Sequence, residues 1–489
     1  MGIQLSQGPP TAGIAVPGRG LISKQKLISG ALPLVVLAIL LFSPVPQGLT
    51  PQAWKMFSIF ASIICGILLQ PLPSGAIMLL GISFAIYTKT LTEAKALSGF
   101  ANGTVWLIFC AIILSLGFVK TGLERRIAYK MLSLFGGSSL GIAYALGLAD
   151  LIIAPATPSV IARSAGAILP VAKSINRALG SDPGPTGGKI GDFLVMTCFQ
   201  YAPITGAMFL TGMAANPLAA ELAMKTLKIQ ISWVDWAVAA LVPGLACFIT
   251  MPLLVYWLLD PEIKRTPEAR ELGRQSLAEL GPMSRKECYF SALLVLALLG
   301  WGTSLWTGLS ATTVGLGVVS LMFALGIVDW KDVLKEYPAW DTLIWFGAIL
   351  GLAGGLSDLG FIKWMTAGFS AALTGWSWLA TFVCLGLIYI YIHYAFATAS
   401  GHVAAMYPPF IATAVAAGAP PMMVVICFGI FGNLMWGLTE YGGAPGPVYF
   451  AQGHFARPRF YRINFAVVTL NVLITFSVGI LWWKIIGLW

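Results

Sequence analysis

Long apolar runs, separated by short polar or Gly/Pro-rich breaks, recur along the whole chain. Four of them, at 27–42, 105–119, 236–258 and 463–481, hold about 16–23 residues with little or no charge. At ~1.5 Å of rise per residue, this is the length of a helix that crosses a bilayer. The pattern gives about a dozen such segments and predicts an all-α, polytopic membrane protein.

Two polar breaks, TPSVIARSAG (157–166) and FATASGHVAAMYP (396–408), are too short and too apolar to be aqueous loops. Irregular backbone at membrane depth is tolerated only inside protein or beside a water-filled cavity. We therefore predict one re-entrant helical hairpin near 155–175 and another near 396–418. The tip of such a hairpin offers N–H groups and hydroxyls, and helix N-termini attract anions. The apolar runs before the breaks are predicted as separate spans, 138–154 and 376–394.

The two halves of the chain resemble each other at an offset of 238 positions. TVWLIFCAIILSLGFVKTGLERRI (104–127) aligns without a gap with TLIWFGAILGLAGGLSDLGFIKWM (342–365), so that Gly122 meets Gly360. We predict two inverted repeats, each with one re-entrant hairpin. Duplicated halves with interrupted helices are typical of secondary transporters, in which the substrate site lies where the two breaks meet.

A hydrophilic connection at 260–288 divides the chain into a first half, 27–259, and a second half, 289–489. Residues 1–26 are rich in Gly and Pro and are predicted to be disordered. Basic residues precede the first apolar run, and six more lie in the dividing connection. Because basic residues near span ends favour the cytoplasmic side, both segments are expected in the cytoplasm.

Composition supports the membrane assignment and excludes several function classes. Of the 489 residues, 58% are hydrophobic and 10% are charged, whereas soluble domains carry ~25% charged residues. The net charge of +10 does not indicate a nucleic-acid partner, because the basic residues lie mostly in short connections. The seven cysteines form no CxxC pair, and neither a phosphate loop nor a catalytic triad is present. We expect a multi-pass protein of the bacterial inner membrane that is not an enzyme and holds no cofactor or metal.

Arg163 places a full charge directly after the first break. An intramembrane cation is costly and usually functional. Arg163 therefore either binds or balances a charged substrate, or pairs with an acid inside the bundle to hold the scaffold. His402 lies one residue from the position that the repeat offset pairs with Arg163. It either hydrogen-bonds a carboxylate or is a neutral buried histidine satisfied by the backbone.

Two further breaks, at 199–217 and 432–450, follow the hairpins and combine hydroxyls with Gly and Pro. We interpret them as unwound helix midpoints whose carbonyls and hydroxyls line a site. The alternative is close helix packing through small residues. The candidate site residues in these breaks are Thr205, Thr439, Glu440 and Gly442.

Ordered motifs over nearly the whole chain after residue 25 resemble the divalent anion/sodium symporter family, and within it the exchanger branch. That branch includes plastid 2-oxoglutarate/malate translocators and bacterial citrate/succinate and tartrate/succinate antiporters. The motifs that carry the resemblance are PVPQGLTPQAWKMFSIF (45–60), QPLPSGA (70–76), TKTLT (88–92), GFVKTGLERRIA (117–128), APATPSVIARSAGAILP (154–170), AWDTLIWF (339–346), HYAFATASGHVAAMYP (393–408) and WWKIIGLW (482–489).

The resemblance implies a homodimer in which each copy has a scaffold domain and a moving, elevator-type transport domain. It also implies two hairpin tips that carry Ser-Asn-Thr and contact the substrate carboxylates. By similarity, the first tip falls on Ser159-Val160-Ile161 and the second on Thr398-Ala399-Ser400. Only Ser159 keeps its type and position, while Thr398 and Ser400 keep hydroxyls.

In sodium-coupled members the same tips hold sodium, and in the exchanger branch an arginine and a histidine follow the tips. The resemblance therefore implies that Arg163 and His402 supply part of the positive charge, and that an empty, cationic transport domain crosses slowly. Glu440 departs from the histidine that many exchangers carry. It would repel a dicarboxylate unless it is protonated, paired with Arg163 or His402, or part of a local salt bridge.

The sequence thus predicts a sodium-independent antiporter for small anionic carboxylates of the 2-oxoglutarate, malate, succinate, citrate or tartrate type. The alternative within the family is a sodium-coupled dicarboxylate symporter, and an alternative from another class is a membrane enzyme or channel. The expected partners are the substrate anions, the lipid bilayer and a second copy of the chain. The predicted substrate-binding residues are Ser159, Val160, Ile161, Arg163, Thr205, Thr398, Ala399, Ser400, His402, Thr439, Glu440 and Gly442.

Overall fold

The computed structural model describes residues 24–372 and 375–489, and this part of the chain folds almost entirely into helices. The predicted disordered segment 1–26 lies outside the described residues except for its last three, which begin the first helix. The helices of the first half and the connection are α1 (Lys24–Phe42), α2 (Pro51–Leu69), α3 (Ser74–Tyr87), α4 (Glu93–Leu97), α5 (Gly103–Thr121), α6 (Leu123–Phe135), α7 (Ser139–Ile153), α8 (Leu169–Ala178), α9 (Gly191–Met208), α10 (Ala215–Leu227), α11 (Trp233–Leu259) and α12 (Pro267–Leu280).

The second half repeats this alternation of long and short helices. Its helices are α13 (Arg285–Gly302), α14 (Ser304–Thr307), α15 (Ala311–Ala324), α16 (Trp330–Lys335), α17 (Tyr337–Asp358), α18 (Phe361–Ala372), α19 (Trp378–Tyr391), α20 (Ala399–Ala416), α21 (Pro421–Leu434), α22 (Gly446–Phe450), α23 (Arg457–Ile474) and α24 (Ile480–Ile485). Short 3₁₀ or π segments connect or extend several of them. Within the described ranges, eight helical stretches are long and apolar enough to cross a membrane. The chain is therefore a multi-pass, all-helical membrane protein, as predicted.

Each predicted hairpin has two helical arms that pack against each other. In the first, the helical stretch Ser139–Ala156 is broken over 157–159 and continues as a second arm to the end of α8. In the second, Trp378–Ala395 is followed by a break over 396–398 and by α20. The runs interpreted as separate spans are therefore the first arms of the hairpins. An apolar arm and a membrane span have the same composition, so only the break could be located in the sequence.

The sequence repeat is also a backbone repeat. Gly122 and Gly360, 238 positions apart, adopt left-handed φ values of +75° and +83°. A residue with a Cβ is disfavoured there, and each glycine lets an amphipathic helix, α6 or α18, follow the preceding long helix almost directly. The second arms of the hairpins also end 238 positions apart, at Ala178 and Ala416.

The hairpin tips, in contrast, correspond at an offset of 239. Ser159 Oγ accepts a hydrogen bond from the Ala162 N–H (3.4 Å), and Thr398 Oγ1 accepts one from Gly401 (3.1 Å). The second arm of the first hairpin thus has one residue more between its cap and its end than the second arm of the second hairpin. The π-helix Ile161–Ile168 holds this residue, since a π-bulge is a one-residue insertion in an α-helix.

The two hairpins enclose the centre of the bundle. Every residue of α9 is buried, as are all residues of α21 from Met423 to Leu434. α9 packs against α7, α8 and α21, and α21 packs against both arms of the second hairpin. A smaller core forms between α5, α13 and α15, where Phe290 lies edge-on to Phe118 at 5.0 Å.

Several contacts gather helix ends at one end of the bundle, which we call the loop end. Arg126 on α6 pairs with Glu287 (2.6 Å), and Lys120 at the end of α5 pairs with Asp332 on α16 (2.6 Å). α12, within the hydrophilic connection, packs against α6 and α8. At the start of α17, Asp341 accepts a hydrogen bond from the N–H of Gly75 on α3 (3.2 Å). The starts of α3 and α17 therefore lie at the same end as the connection.

Candidate functional site

A cavity of about 520 Å³ lies where the second hairpin tip meets α17 and the turn between α2 and α3. None of the described residues that line it carries a charge. An anion in this cavity would therefore meet N–H groups, hydroxyls, one side-chain amide and helix dipoles. The lining residues are Ile67, Gln70, Ser74, Met213, Trp345, Ile349, Ala397, Thr398, Ala399, Ser400, Gly401, Tyr441, Gly443, Ala444 and Pro447.

The predicted second tip, Thr398-Ala399-Ser400, forms part of this lining. Thr398 caps the 18-residue helix α20, and its hydroxyl oxygen receives the Gly401 N–H. The N–H groups of Ala399 and Ser400 belong to the first turn, where an α-helix supplies no acceptor. The positive end of α20 and the half-buried Ser400 hydroxyl therefore face the cavity, which is a suitable arrangement for a carboxylate.

His402 lies behind the tip and is fully buried. Its Nδ1 is 3.1 Å from Nδ1 of His393, whose Nε2 is 3.0 Å from the Gly442 carbonyl. A carbonyl only accepts, so His393 donates through Nε2; in a neutral His393, Nδ1 then accepts from the Nδ1–H of a neutral His402. Two neutral imidazoles thus connect α20 to the backbone of the cavity-lining segment. Of the two alternatives for His402, this corresponds to a buried neutral histidine, with His393 as its partner.

The break at 432–450 was predicted to line the site through Thr439, Glu440 and Gly442. The residues of this segment that line the cavity are instead Tyr441, Gly443, Ala444 and Pro447. Thr439 is extended (φ −134°, ψ 161°) and fully buried, and Tyr441 is the exposed side chain that faces the cavity. Glu440 is directed away from the lining and pairs with Arg457 (2.9 Å). Of the possibilities considered for Glu440, the structure has the local salt bridge, and the pairing with Arg163 or His402 is not observed.

Arg163 is buried and donates all five of its N–H groups to protein oxygens. Nε binds Asp150 Oδ1 (2.9 Å), and the hydroxyl of Thr205 donates to the other carboxylate oxygen. The four remaining acceptors are the Thr157 carbonyl (2.9 Å), the Gly212 carbonyl (3.0 Å), the Ala202 carbonyl (3.3 Å) and Thr205 Oγ1 (3.2 Å).

This network gives a structural reason for the arginine that follows the break. Its guanidinium joins both sides of the first tip to the unwound end of α9. In this conformation it has no N–H left for a substrate. Of the two alternatives considered for Arg163, the structure has the pairing with an acid inside the bundle, because Asp150 balances the charge. The sequence offered a signal for Asp150, which is the only charged residue between 139 and 162.

The first tip borders the cavity without lining it. Val160 is buried and Ile161 is exposed, and neither these residues nor Ser159 is part of the lining. The connection is indirect: Arg163 holds the carbonyl of Gly212, whose neighbour Met213 lines the cavity. Thr205 likewise takes part in the Arg163 network and is not among the lining residues.

Gln70, Ser74 and Trp345 line the cavity but were not predicted as site residues. Gln70 and Ser74 belong to the QPLPSGA motif, which had contributed only to the family resemblance. A polar residue followed by two prolines between apolar helices was a usable signal. The sequence alone did not indicate that this turn lies against the second hairpin.

Comparisons with known proteins agree with this architecture. The family model described as the sodium:sulfate symporter transmembrane region matches residues 24–489. The chain is 42% identical to dicarboxylate transporter 1, chloroplastic, of Arabidopsis thaliana, over 99% of this chain and 87% of that protein. It is 37% identical to the inner membrane protein YbhI of Escherichia coli, over 96% and 99%. The solved structure of MtrF from Neisseria gonorrhoeae has a similar fold, with a TM-score of 0.54, 13% identity and 94% coverage of each chain.

Proposed function

The chain belongs to the divalent anion/sodium symporter family, the family of the sodium:sulfate symporters, and from this premise we propose that it is a sodium-independent dicarboxylate antiporter. Its relatives include proteins named dicarboxylate transporters at about the 40% identity level, which supports the substrate class. The candidate substrates are the dicarboxylates 2-oxoglutarate, malate, succinate and tartrate, and the tricarboxylate citrate.

One observation carries the proposed independence of sodium. Carbonyl and hydroxyl oxygens are typical ligands of a hard metal cation. Between the first tip and the end of α9, such oxygens from Thr157, Ala202 and Gly212 all accept hydrogen bonds from Arg163. The guanidinium therefore occupies the position that a sodium ion would need, and it carries the same charge.

The substrate binds at the second tip in this proposal. One carboxylate accepts hydrogen bonds from the Ala399 and Ser400 N–H groups and from the Ser400 hydroxyl. These donors face the cavity and lie at the positive end of α20. His402 and His393 keep α20 in register with the segment around Gly442 and do not themselves touch the substrate.

Obligatory exchange would follow from the free energy needed to move a hairpin tip without bound substrate through the bilayer. Polar groups without partners cost several kcal/mol each in the hydrocarbon region. We propose that the hairpins move together with α9 and α21 as an elevator-type transport domain, in each copy of a homodimer. A bound carboxylate supplies partners for the tip donors, so the loaded domain crosses faster than the empty one.

The direction of opening follows from the contacts at the loop end. Gln70 and Ser74 lie at the start of α3, which the contact between Gly75 and Asp341 places beside the start of α17. If the connection at 260–288 is cytoplasmic, as its basic residues indicate, the cavity in this conformation lies on the cytoplasmic side of the bilayer midplane.

Purified protein in proteoliposomes tests the proposal. Uptake of labelled 2-oxoglutarate is expected only into vesicles loaded with malate or another dicarboxylate. Equal uptake into vesicles without an internal anion, driven by an inward sodium gradient, would overturn exchange and establish the sodium-coupled symporter instead. A non-saturable anion current would support a channel.

A further inference from the structure

We propose that Gln70, in the turn between α2 and α3, determines substrate selectivity by binding the carboxylate that is remote from the second hairpin tip. This inference rests on the proposed function and extends the site to an element outside the hairpins. Gln70 is the one residue with a side-chain amide in the cavity lining of the described chain, and no Lys or Arg side chain lines the cavity.

A contact between α2 and α20 brings Gln70 close to the tip. A Cβ placed on Gly401 would lie 3.4 Å from Cγ2 of Ile67, so the end of α2 is in contact with the start of α20. Gln70 comes three residues after Ile67 and directly follows Leu69, the last residue of α2. Both residues line the cavity. Gln70 thus follows the end of α2 that touches the tip, and its side chain shares the cavity with the tip.

A dicarboxylate has one group for the tip and a second for Gln70. The carboxyl carbons of an extended C4 dicarboxylate are about 4 Å apart, given C–C bonds of ~1.5 Å. A hydrogen bond at each end adds about 2.9 Å. A molecule held at one end by Ala399 and Ser400 therefore brings its other carboxylate within reach of the Gln70 amide. A monocarboxylate of the same length has no group for Gln70 to bind.

The backbone conformation at Gln70 would favour glycine, so the glutamine side chain needs another reason to be at this position. It adopts a left-handed geometry (φ 46°, ψ 50°) as the C-cap of α2, where Gly is the usual residue. A non-glycine residue in this region costs about 1 kcal/mol. Its N–H satisfies the Gly66 carbonyl (2.8 Å), and Pro71 and Pro73 restrict the chain that follows. Within the described residues, the Gln70 side chain is exposed to the cavity and makes no hydrogen bond to protein.

The chemistry of the amide suits a substrate that must also leave. Its NH₂ group donates to a carboxylate, and its carbonyl accepts from the hydroxyl of a 2-hydroxy acid. Because it is neutral, it does not hold a dianion as firmly as an arginine would. The Gln70→Leu substitution removes both functions at similar size, and Gln70→Gly removes them while relieving the left-handed backbone.

The experiment measures exchange by the wild type and by Gln70→Leu and Gln70→Gly, with succinate as substrate and butyrate as a competing monocarboxylate. Both variants are expected to raise the KM for succinate by about ten-fold to a hundred-fold, the loss of one hydrogen bond to a charged group. The maximal rate and the inhibition constant of butyrate are expected to stay unchanged. Leu72→Ala, in the same turn but outside the cavity lining, is the matched control and should behave as the wild type.

An unchanged KM for succinate in both variants would overturn the inference and leave the proposed function intact. A parallel loss of butyrate binding would also overturn it, because it would show a general distortion of the cavity. Gln70→Gly is expected to melt at or above the wild-type temperature, so a binding defect in this variant is not a folding defect. Absence of dicarboxylate exchange by the wild type would instead contradict the proposed function, and the inference with it.

Discussion

Arg163 and Asp150 form an ion pair inside the first hairpin, with side chains that are 0% and 3% exposed. At the residue scale, this pair gives the first tip a structural role, because it engages the arginine in contacts within the protein. Every N–H of the guanidinium has a protein acceptor, and three of those acceptors are backbone carbonyls: those of Thr157 and Gly212 at two helix breaks and that of Ala202 within α9. The sequence identified the arginine because a charge in an apolar run is conspicuous. The role of the arginine depends on Asp150 and on carbonyls 39 and 49 residues away, whose proximity only the fold creates.

The pair gives a prediction about stability. Arg163→Ala leaves the buried carboxylate of Asp150 without its cation, and breaking a buried ion pair in this way costs about 3–5 kcal/mol. The variant is expected to melt well below the wild type in detergent and to lose exchange.

Combining Arg163→Met with Asp150→Leu should recover part of the stability, since no charge is then buried alone. Arg177→Ala, on the exposed side of the same hairpin arm, is the control and should melt as the wild type does. A wild-type melting temperature for Arg163→Ala would refute the structural role assigned to the pair.

The second tip gives a prediction about binding. Ser400→Ala removes a hydroxyl that faces the cavity and is expected to raise the KM for malate by about ten-fold to a hundred-fold, the loss of one hydrogen bond to a charged group, with no change in melting temperature. Ser159→Ala, at the corresponding cap of the first hairpin, removes a hydroxyl outside the lining. A larger increase in KM for Ser159→Ala than for Ser400→Ala would show that the first tip is the main carboxylate site.

At the scale of elements, the hairpins show what sequence patterns can and cannot locate. The breaks at 157–159 and 396–398 were predictable, because Pro, Ser and Thr interrupt apolar runs there. The apolar first arms were interpreted as separate spans, since composition does not show where a helix turns back. The π-helix in the first hairpin was not predicted. The only sign of it in the sequence is that Arg163 and His402 are 239 positions apart, one more than the repeat offset of 238. Likewise, α12 lies in a connection that hydropathy marks only as polar.

The connection is fixed to the bundle by a contact that depends on pH. Burial raises the pKa of the Glu287 carboxyl, but hydrogen bonds from the Arg126 side chain and from Ser284 outweigh this and hold the pKa below its ordinary value. A lowered folded-state pKa stabilises the fold above the ordinary value of about 4.3, and this stabilisation is lost as the pH falls through the lower folded-state value.

Glu287→Gln should therefore lower the melting temperature at neutral pH and reduce its decline between about pH 5 and pH 3. Glu279→Gln, in the same connection but without an ion pair in the described structure, is the control. If the decline were the same in the Glu287 variant as in the wild type, this carboxylate would not be its cause.

At the scale of the whole molecule, one cavity connects two sets of elements. The second tip and the segment 441–447 supply one part of its lining, and the α2–α3 turn with α17 supplies the other. In the proposed elevator-type movement, a substrate bound between them would be released from the second set as the hairpins move. The sequence predicted the all-helical membrane fold, the repeat and the second tip. It could not show which tip lines the cavity in this conformation, because that depends on how the two repeats dock.

The most direct test of the central claim, that the Arg163 guanidinium takes the place of a sodium ion, is the sodium dependence of counterflow. Labelled malate outside is exchanged for unlabelled malate inside proteoliposomes, with sodium on both sides replaced stepwise by N-methylglucamine at constant ionic strength. We expect the same initial rate at every sodium concentration, including none. An initial rate that rises with sodium and falls to background in its absence would contradict it.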